Sequence, residues 1–444
     1  MTRPLSGIAT TLVAGICLTA PAMAQNTQTI REEIQALKKN YEGRISELES
    51  RLKEMEGKKE KQAAATPDPA SSGRSVFGNG FNPSIGVILN GRASTFTRDA
   101  SSIAGFGVGE EGERGREGLA IDESELNFSA NVDDKFYGSL TAAIVREGGE
   151  DKIELEEAYI QTLPGTGLPE GSRLKAGRAF WTFGYLNEHH THTDDFADRP
   201  LPYRVYLNNA FNDDGAQFSY VLPTDFYSEI GGGSFRGDDF PAGGSASGFG
   251  AWSAFARIGG DIGSDQSWRL GGYFLSSDAN RRRTNDNNVT FIGQSRLYAA
   301  DLRYTWAPTG NPKQSELTLQ GEYFHRTEDG TYNDTGANTG NVFFDDETRG
   351  WYAQGVYKFA PSWRVGARYA RMSSPDVPAG LAGSALDSRG HDPNTVSMMG
   401  DWTNSEFGRI RLQYNSEELS SGGRDNQFIL QYIMSIGAHG AHAY

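Results

Sequence analysis

The sequence predicts an all-β protein: a 16-stranded antiparallel transmembrane β-barrel carrying an N-terminal periplasmic coiled-coil helix. Three observations predict it. From Ser84 to Tyr444, segments of about ten residues alternate apolar and polar side chains, as a wall between lipid and water requires. The connections between them are alternately very short and much longer. Lone charges recur on the polar face in strand after strand, which a water-filled lumen permits and a packed protein core does not.

Three segments precede the barrel. Residues 1–24 read as an export signal, in which the apolar stretch Ile8 to Ala20 follows Arg3 and leads to Ala22-Met23-Ala24, with cleavage before Gln25. The single cysteine, Cys17, lies inside that signal, so the mature chain forms no disulfide. Residues 25–56 read as the helix. Its apolar positions Ile30, Ile34, Leu37, Tyr41, Ile45, Leu48, Leu52 and Met55 are spaced 4, 3, 4, 4, 3, 4 and 3, a coiled-coil seam with one stutter. Residues 57–83, rich in Lys, Ala, Pro, Ser and Gly, read as a flexible linker. The barrel occupies residues 84–444.

The clearest strands show their two faces directly. Ile410, Leu412 and Tyr414 alternate with Arg409, Arg411, Gln413 and Asn415; Tyr298, Ala300, Leu302, Tyr304 and Trp306 alternate with Asp301, Arg303 and Thr305; Val365, Ala367 and Tyr369 alternate with Arg364, Gly366 and Arg368. The parity puts Arg303, Arg364, Arg368, Arg409 and Arg411 in the lumen, with Glu125 on an earlier strand. Short turns fall near Asp133, Pro164 to Ser172, Pro223, Gly263 to Gln266, Pro308 to Pro312, Pro361 and Asn404. Long connections are expected at Arg98 to Gly118, Gly184 to Asp213, Ser277 to Gly293, Asp329 to Glu347 and Ser374 to Asn394. Short turns of bacterial barrels face the periplasm. Trp268, Trp306, Trp363 and Trp402 beside short turns, with Trp181 and Trp351 near long loops, predict two aromatic girdles.

Composition agrees. A mean hydropathy of −0.55, with 55 glycines and 19 tyrosines, fits a barrel with half its wall wet. The mature chain has no helical span. The last strand, Asn426 to Ile436, ends near an aromatic terminus, Tyr444, which resembles the signal read by the outer-membrane assembly machinery.

Several stretches resemble the outer-membrane porins of the phosphate-selective porin O and P family: Glu123-Ser124-Glu125-Leu126-Asn127-Phe128-Ser129-Ala130, Tyr137-Gly138-Ser139-Leu140, Glu157-Ala158-Tyr159-Ile160, Leu174-Lys175-Ala176-Gly177-Arg178 and Phe183-Gly184. They lie between Glu123 and Gly184 and match that family's opening hairpins. Phe81-Asn82-Pro83-Ser84-Ile85 and Gly437-Ala438-His439-Gly440-Ala441-His442 are similar to outer-membrane proteins labelled zinc-regulated receptors. The resemblance implies a porin in the outer membrane of a Gram-negative bacterium, trimeric, in contact with lipid and lipopolysaccharide, with no nucleic-acid partner. It does not extend to phosphate. Eight of the 57 acidic residues and ten of the 42 basic ones precede residue 65, which leaves 49 acids against 32 bases, whereas an anion pore calls for a basic lumen.

The connection after the fifth strand holds His189, His190, His192, Asp194, Asp195 and Asp198, including three of the seven histidines. By its order in the chain it is the loop that folds into the lumen of 16-stranded porins and narrows it. His189, His190 and His192 with the neighbouring carboxylates have the donors for Zn²⁺, although their spacing matches no fixed zinc motif; otherwise no cofactor is expected. His439 and His442 read as a polar extension of the last strand. Arg281, Arg282 and Arg283 form a dense basic run expected in a long loop, suited to lipopolysaccharide phosphates or to solvent. No G-x-S-x-G elbow or H-E-x-x-H helix appears, so an enzyme is not expected. The 59 residues from Gln25 to Pro83 are too few for the plug of an energised receptor. The sequence therefore points to passive diffusion of small hydrophilic solutes, with two alternatives: a zinc-associated uptake channel using the His-rich loop, or an anchor whose coiled coil reaches toward the cell wall.

Overall fold

The computed structural model describes residues 83–437, apart from 99–101, 148–149, 245–247 and 406. The signal, coiled coil and linker, along with His439, His442 and Tyr444, lie outside the described residues. The strands are β1 (Ser84–Phe96), β2 (Gly118–Ile121), β3 (Ser124–Asn131), β4 (Phe136–Glu147), β5 (Glu150–Thr162), β6 (Ser172–Phe180), β7 (Asn212–Val221), β8 (Tyr227–Phe235) and β9 (Ala251–Ile262). They continue with β10 (Gln266–Thr284), β11 (Val289–Trp306), β12 (Glu316–Asp334), β13 (Val342–Ala360), β14 (Trp363–Ser373), β15 (Asn394–Ser405), β16 (Gly408–Glu418) and β17 (Asp425–Gly437).

All neighbours are antiparallel, and β1 closes on β17 from Gly86↔Gly437 to Phe96↔Gln427. Closure joins the two ends of the sheet, which lets wall carbonyls and amides pair with one another without water. β2 and β3 are two pieces of a single stave, because both pair with β1, at Gly91 to Ser94 and at Ser84 to Ile88. Counting them once gives the sixteen staves that the alternation predicts.

The faces also fall as predicted. Arg411, Gln413 and Asn415 are fully buried inside, while Leu412 between them is 57% exposed on the outer face. Leu302, Val365, Phe428 and Leu430 are likewise exposed, an outward apolar band of the kind that faces lipid. Trp363 and Trp402 stack at 6.1 Å beside the short turns, and Trp351 packs on Tyr369 at 5.4 Å about ten residues farther up the wall.

Three expectations change. Trp181 is fully buried inside the barrel and belongs to no girdle; it packs on Phe235 at 5.0 Å, and its indole N–H donates to the Asp213 carbonyl at 2.8 Å. The spans Ser277 to Gly293 and Asp329 to Glu347 are mostly strand. β10–β13 run on as hairpins whose strands are 18 or 19 residues long, since Phe291, Tyr332 and Phe344 keep an inward apolar cluster going above the band. Arg282 is consequently a strand residue turned inward, 2.6 Å from Glu328 and 3.0 Å from the Tyr332 hydroxyl. A bulge between Asn280 and Arg282 turns it there, leaving Arg281 at φ 68°.

Candidate functional site

The connection from β6 to β7 (residues 181–211) lies inside the barrel and touches inward side chains on opposing walls. Its neck is tied by Asn187, whose amide donates to the carbonyls of Trp181 and Phe211 at 2.7 and 2.9 Å while its oxygen accepts from the Phe211 N–H at 2.6 Å. Arg199 braces the interior, donating to Asp194 and to the Leu186 carbonyl, both at 3.0 Å. A short helix, α1 (Leu201–Leu207), then ends at Asn208, whose left-handed φ of 51° stops it. Every residue of α1 is buried. The segment Leu-Pro-Tyr-Arg-Val-Tyr-Leu is too apolar for an exposed loop, and it packs with Phe183 and Leu186 against Leu275, Phe324 and Tyr352 of the wall and Phe106 of the first long connection. This apolar core, inside a wall whose inner face is elsewhere largely polar, gives the loop a fixed seat.

Polar contacts extend that seat across the lumen. The Tyr203 hydroxyl donates to Glu322 of β12, as does that of Tyr352, and Tyr203 also accepts the Leu186 N–H at 3.0 Å. Gly184, at φ 73°, passes so close that a Cβ would collide with Glu322 Oε2 and the Tyr203 hydroxyl, so only glycine fits there. Arg204 meets Glu417 of β16 at 2.9 Å. Glu188 pairs with Arg257 of β9, and Tyr185 lies between Arg269 and Arg303, whose guanidinium carbons are 4.9 and 4.7 Å from its ring.

The loop meets β14–β16 through arginines. Asp195 pairs with Arg364 at 2.7 Å, and Arg364 also pairs with Asp401 of β15 at 2.5 Å. Asp198 accepts from Arg368 at 2.7 Å, from Gln413 at 2.5 Å and from Asn415 at 3.0 Å. Arg411 donates to the Asp194 carbonyl at 2.6 Å, and Arg409 donates to the His192 carbonyl. Burial pushes the Asp195 and Asp198 carboxyls up, but Arg364 and Arg368 respectively outweigh it and hold both below the usual value. Of the residues expected in the lumen, Arg364, Arg368, Arg409, Arg411 and Glu125 contact the loop through hydrogen bonds or ion pairs, and Arg303 contacts it through the Tyr185 ring.

Farther round the wall, past β17 and β1, the loop meets β3 and β5 through histidines. His192 Nδ1 lies 2.6 Å from Glu125 Oε1, and His190 Nδ1 lies 3.2 Å from Glu125 Oε2 and 3.6 Å from Glu156 Oε2. His190 Nε2 faces Glu157 Oε2 at 3.1 Å, and Thr191 donates to Glu123 at 3.2 Å. Two sets of ligand atoms gather within 4.8 Å of one another: Glu125, His190 and His192, and Glu123, Glu125, Glu156 and His190. His190 Nδ1, Glu125 Oε2 and Glu156 Oε2 are buried without a hydrogen bond, because their contacts lack its alignment. Burial pushes the His190 imidazole down, but the carboxylates, Glu125 first, outweigh it and raise its pKa well above the usual value. This cluster is able to coordinate a metal ion.

The structure thus separates the three predicted histidine ligands. His190 and His192 share one cluster, whereas His189 turns away to stack with Tyr185 at 4.9 Å, its pKa pushed down to about 4 by burial. Glu123, Glu156 and Glu157 were not expected. Glu123 was findable, since it shares the parity of Glu125. The pair Glu156 and Glu157 was not, because a bulge opposite Thr141 and Ala142 leaves Glu156 unpaired and turns two consecutive carboxylates inward.

No model of a described protein family matches the chain, so the phosphate-selective resemblance rests on the residues quoted for it. An "Uncharacterized protein" of Aquifex aeolicus is 30% identical over 365 residues, 77% of this chain and 73% of that one. Among solved structures, a loop L8 deletion mutant of the Vibrio cholerae outer membrane protein OmpT aligns at a TM-score of 0.51 and 12% identity, over 80% of this chain and 99% of that one. In-vitro folded OmpT in its trimer form and the outer membrane channel DcaP of Acinetobacter baumannii each align at 0.50 and 12%, over 80% of this chain and 99% and 98% of theirs. At these identities the likeness is one of fold.

Proposed function

This chain belongs to one family with the Aquifex aeolicus protein, and we propose that it is an outer-membrane channel of porin type whose inward-folded loop binds a divalent metal of the zinc class. Small hydrophilic solutes, metal ions among them, cross passively through a lumen that the loop narrows. One observation carries the reading: a loop seated inside a 16-stave barrel presents His190 and His192 to Glu125 on the wall. Two imidazoles and a carboxylate are the donors that Zn²⁺ selects, with a fourth position left for Glu156 or water. Glu157 sits behind His190, where a second-shell carboxylate orients a metal-bound imidazole.

The same reading makes the protein a trimer, in keeping with the trimer form of OmpT, and places it in the outer membrane of a Gram-negative cell among lipid and lipopolysaccharide. Two measurements test it. In planar bilayers the purified protein conducts and closes in three equal steps; absence of current at every voltage rules the channel out. By calorimetry the wild type binds zinc, His189→Ala binds it equally and His192→Ala does not; equal binding by all three removes the metal from this cluster.

A further inference from the structure

The two sides of the loop are fastened by different chemistry. On β14–β16, guanidinium groups meet loop carboxylates and carbonyls. On β3 and β5, four carboxylates, Glu123, Glu125, Glu156 and Glu157, surround two imidazoles. Even two imidazolium ions leave that side with a surplus of negative charge, and carboxylates packed this closely repel one another. Lys175, beside Glu157, offsets part of that surplus, and a multivalent cation between Glu125 and Glu156 would offset the rest. The geometry of His190 suits one: Nε2 is directed at Glu157, which leaves Nδ1 aimed, without a hydrogen bond, between Glu125 and Glu156. The ligands also come from two separate parts of the chain, Glu125 from the wall and His190 and His192 from the loop.

We infer that the metal is a fastener: bound between Glu125 and the two histidines, it ties the loop to the β3–β5 wall, and its departure frees that side of the loop to move in the lumen. This inference rests on the metal reading above and adds regulation to it. The arginine side stays attached in both states, so the loop swings and does not leave. Zinc concentration outside the cell would then set how long the lumen spends in each of two conductance levels.

The test is single-channel recording of the full-length protein in zinc chloride or in chelator, with calorimetry on the same preparation. Zinc held at about 100 times its Kd shifts the ratio of time spent in the fastened and released levels about 100-fold, if the released loop binds none. Chelator reverses the shift, magnesium does not produce it, and His189→Ala responds like wild type. Glu125→Gln and His192→Ala lose both the zinc heat and the shift, with heat-modifiable gel mobility confirming that each barrel is folded. Should one of them fail to fold, Glu157→Gln, which touches His190 from behind, is expected to move the shift to higher zinc. Zinc heat with no change in the ratio overturns the fastener and leaves the metal site standing. Absence of zinc heat overturns both. A zinc effect that survives in folded His192→Ala overturns the fastener, because the ion is then acting elsewhere in the pore.

Discussion

The arginine wall and the acidic wall grip the same loop, within the nine residues from His190 to Asp198, with opposite dependence on conditions. Asp195 and Asp198 face Arg364 and Arg368, whose charge is permanent, and the bonds are two or three deep at each carboxylate. His190 and His192 face Glu125, Glu156 and Glu157 through groups whose charge varies with protons or metal. One side is therefore a hinge and the other a latch. The contrast also explains why the total acidity of the chain says little about the lumen. Inward carboxylates such as Glu322, Asp401 and Glu417 stand among the bases of β9–β16, whereas β3 and β5 set four carboxylates around two histidines, so local pairing and not the total charge sets the field that a solute meets.

The comparison breaks most decisively on the arginine side. Arg368→Ala leaves Asp198 buried without its cation, and removing one partner of a buried pair costs about 3–5 kcal/mol. The loop should lose its hinge and single-channel conductance should rise, while calorimetry finds zinc affinity little changed. Next in size is Glu157→Gln, which leaves the three ligands in place but takes away the carboxylate behind His190; zinc affinity should fall about 10–100-fold in the same titration. Tyr203→Phe removes a hydroxyl that Glu322 and the Leu186 N–H both use. It should lower the unfolding midpoint by the equivalent of about 1–2 kcal/mol without altering zinc binding.

The smallest effect expected is from mild acid on the hinge. The Asp198 carboxyl titrates below its ordinary value of 3.8, so the stability it contributes is present above that value and is lost as pH falls through the lowered one. Between neutrality and about pH 5 the arginine side should therefore hold, as read by the unfolding midpoint of His192→Ala, in which the latch is already absent.

The barrel was legible because its signal is repeated in sixteen staves: the parity of Arg409, Arg411, Gln413 and Asn415 against Leu412 recurs often enough to survive local errors. Loop ends were less legible. The stretch around Arg281 to Arg283 reads as loop because turn residues crowd it, yet inward Phe291 and Tyr332 and the pairing of Arg282 with Glu328 keep it in strand. In the site, His190 and His192 could be found by their clustering, and Glu125 by parity. What sequence could not supply was the partition. Separation of His189 from its neighbours depends on short 3₁₀ turns at Leu186–Glu188 and Thr191–Thr193, and the inward pair Glu156 and Glu157 depends on a bulge that alternation alone would deny. Trp181 misled for a related reason: an aromatic at a strand end belongs to a girdle only if the following loop stays outside, and here it turns in.

On the proposed reading the loop lies across the lumen and Asp198 holds it to the arginine wall. Single-channel conductance of wild type and Asp198→Asn in the same bilayer tests it most directly. Asp198→Asn should show the larger conductance, with zinc binding retained; equal conductance in a folded variant would mean that Asp198 does not hold the loop in the lumen.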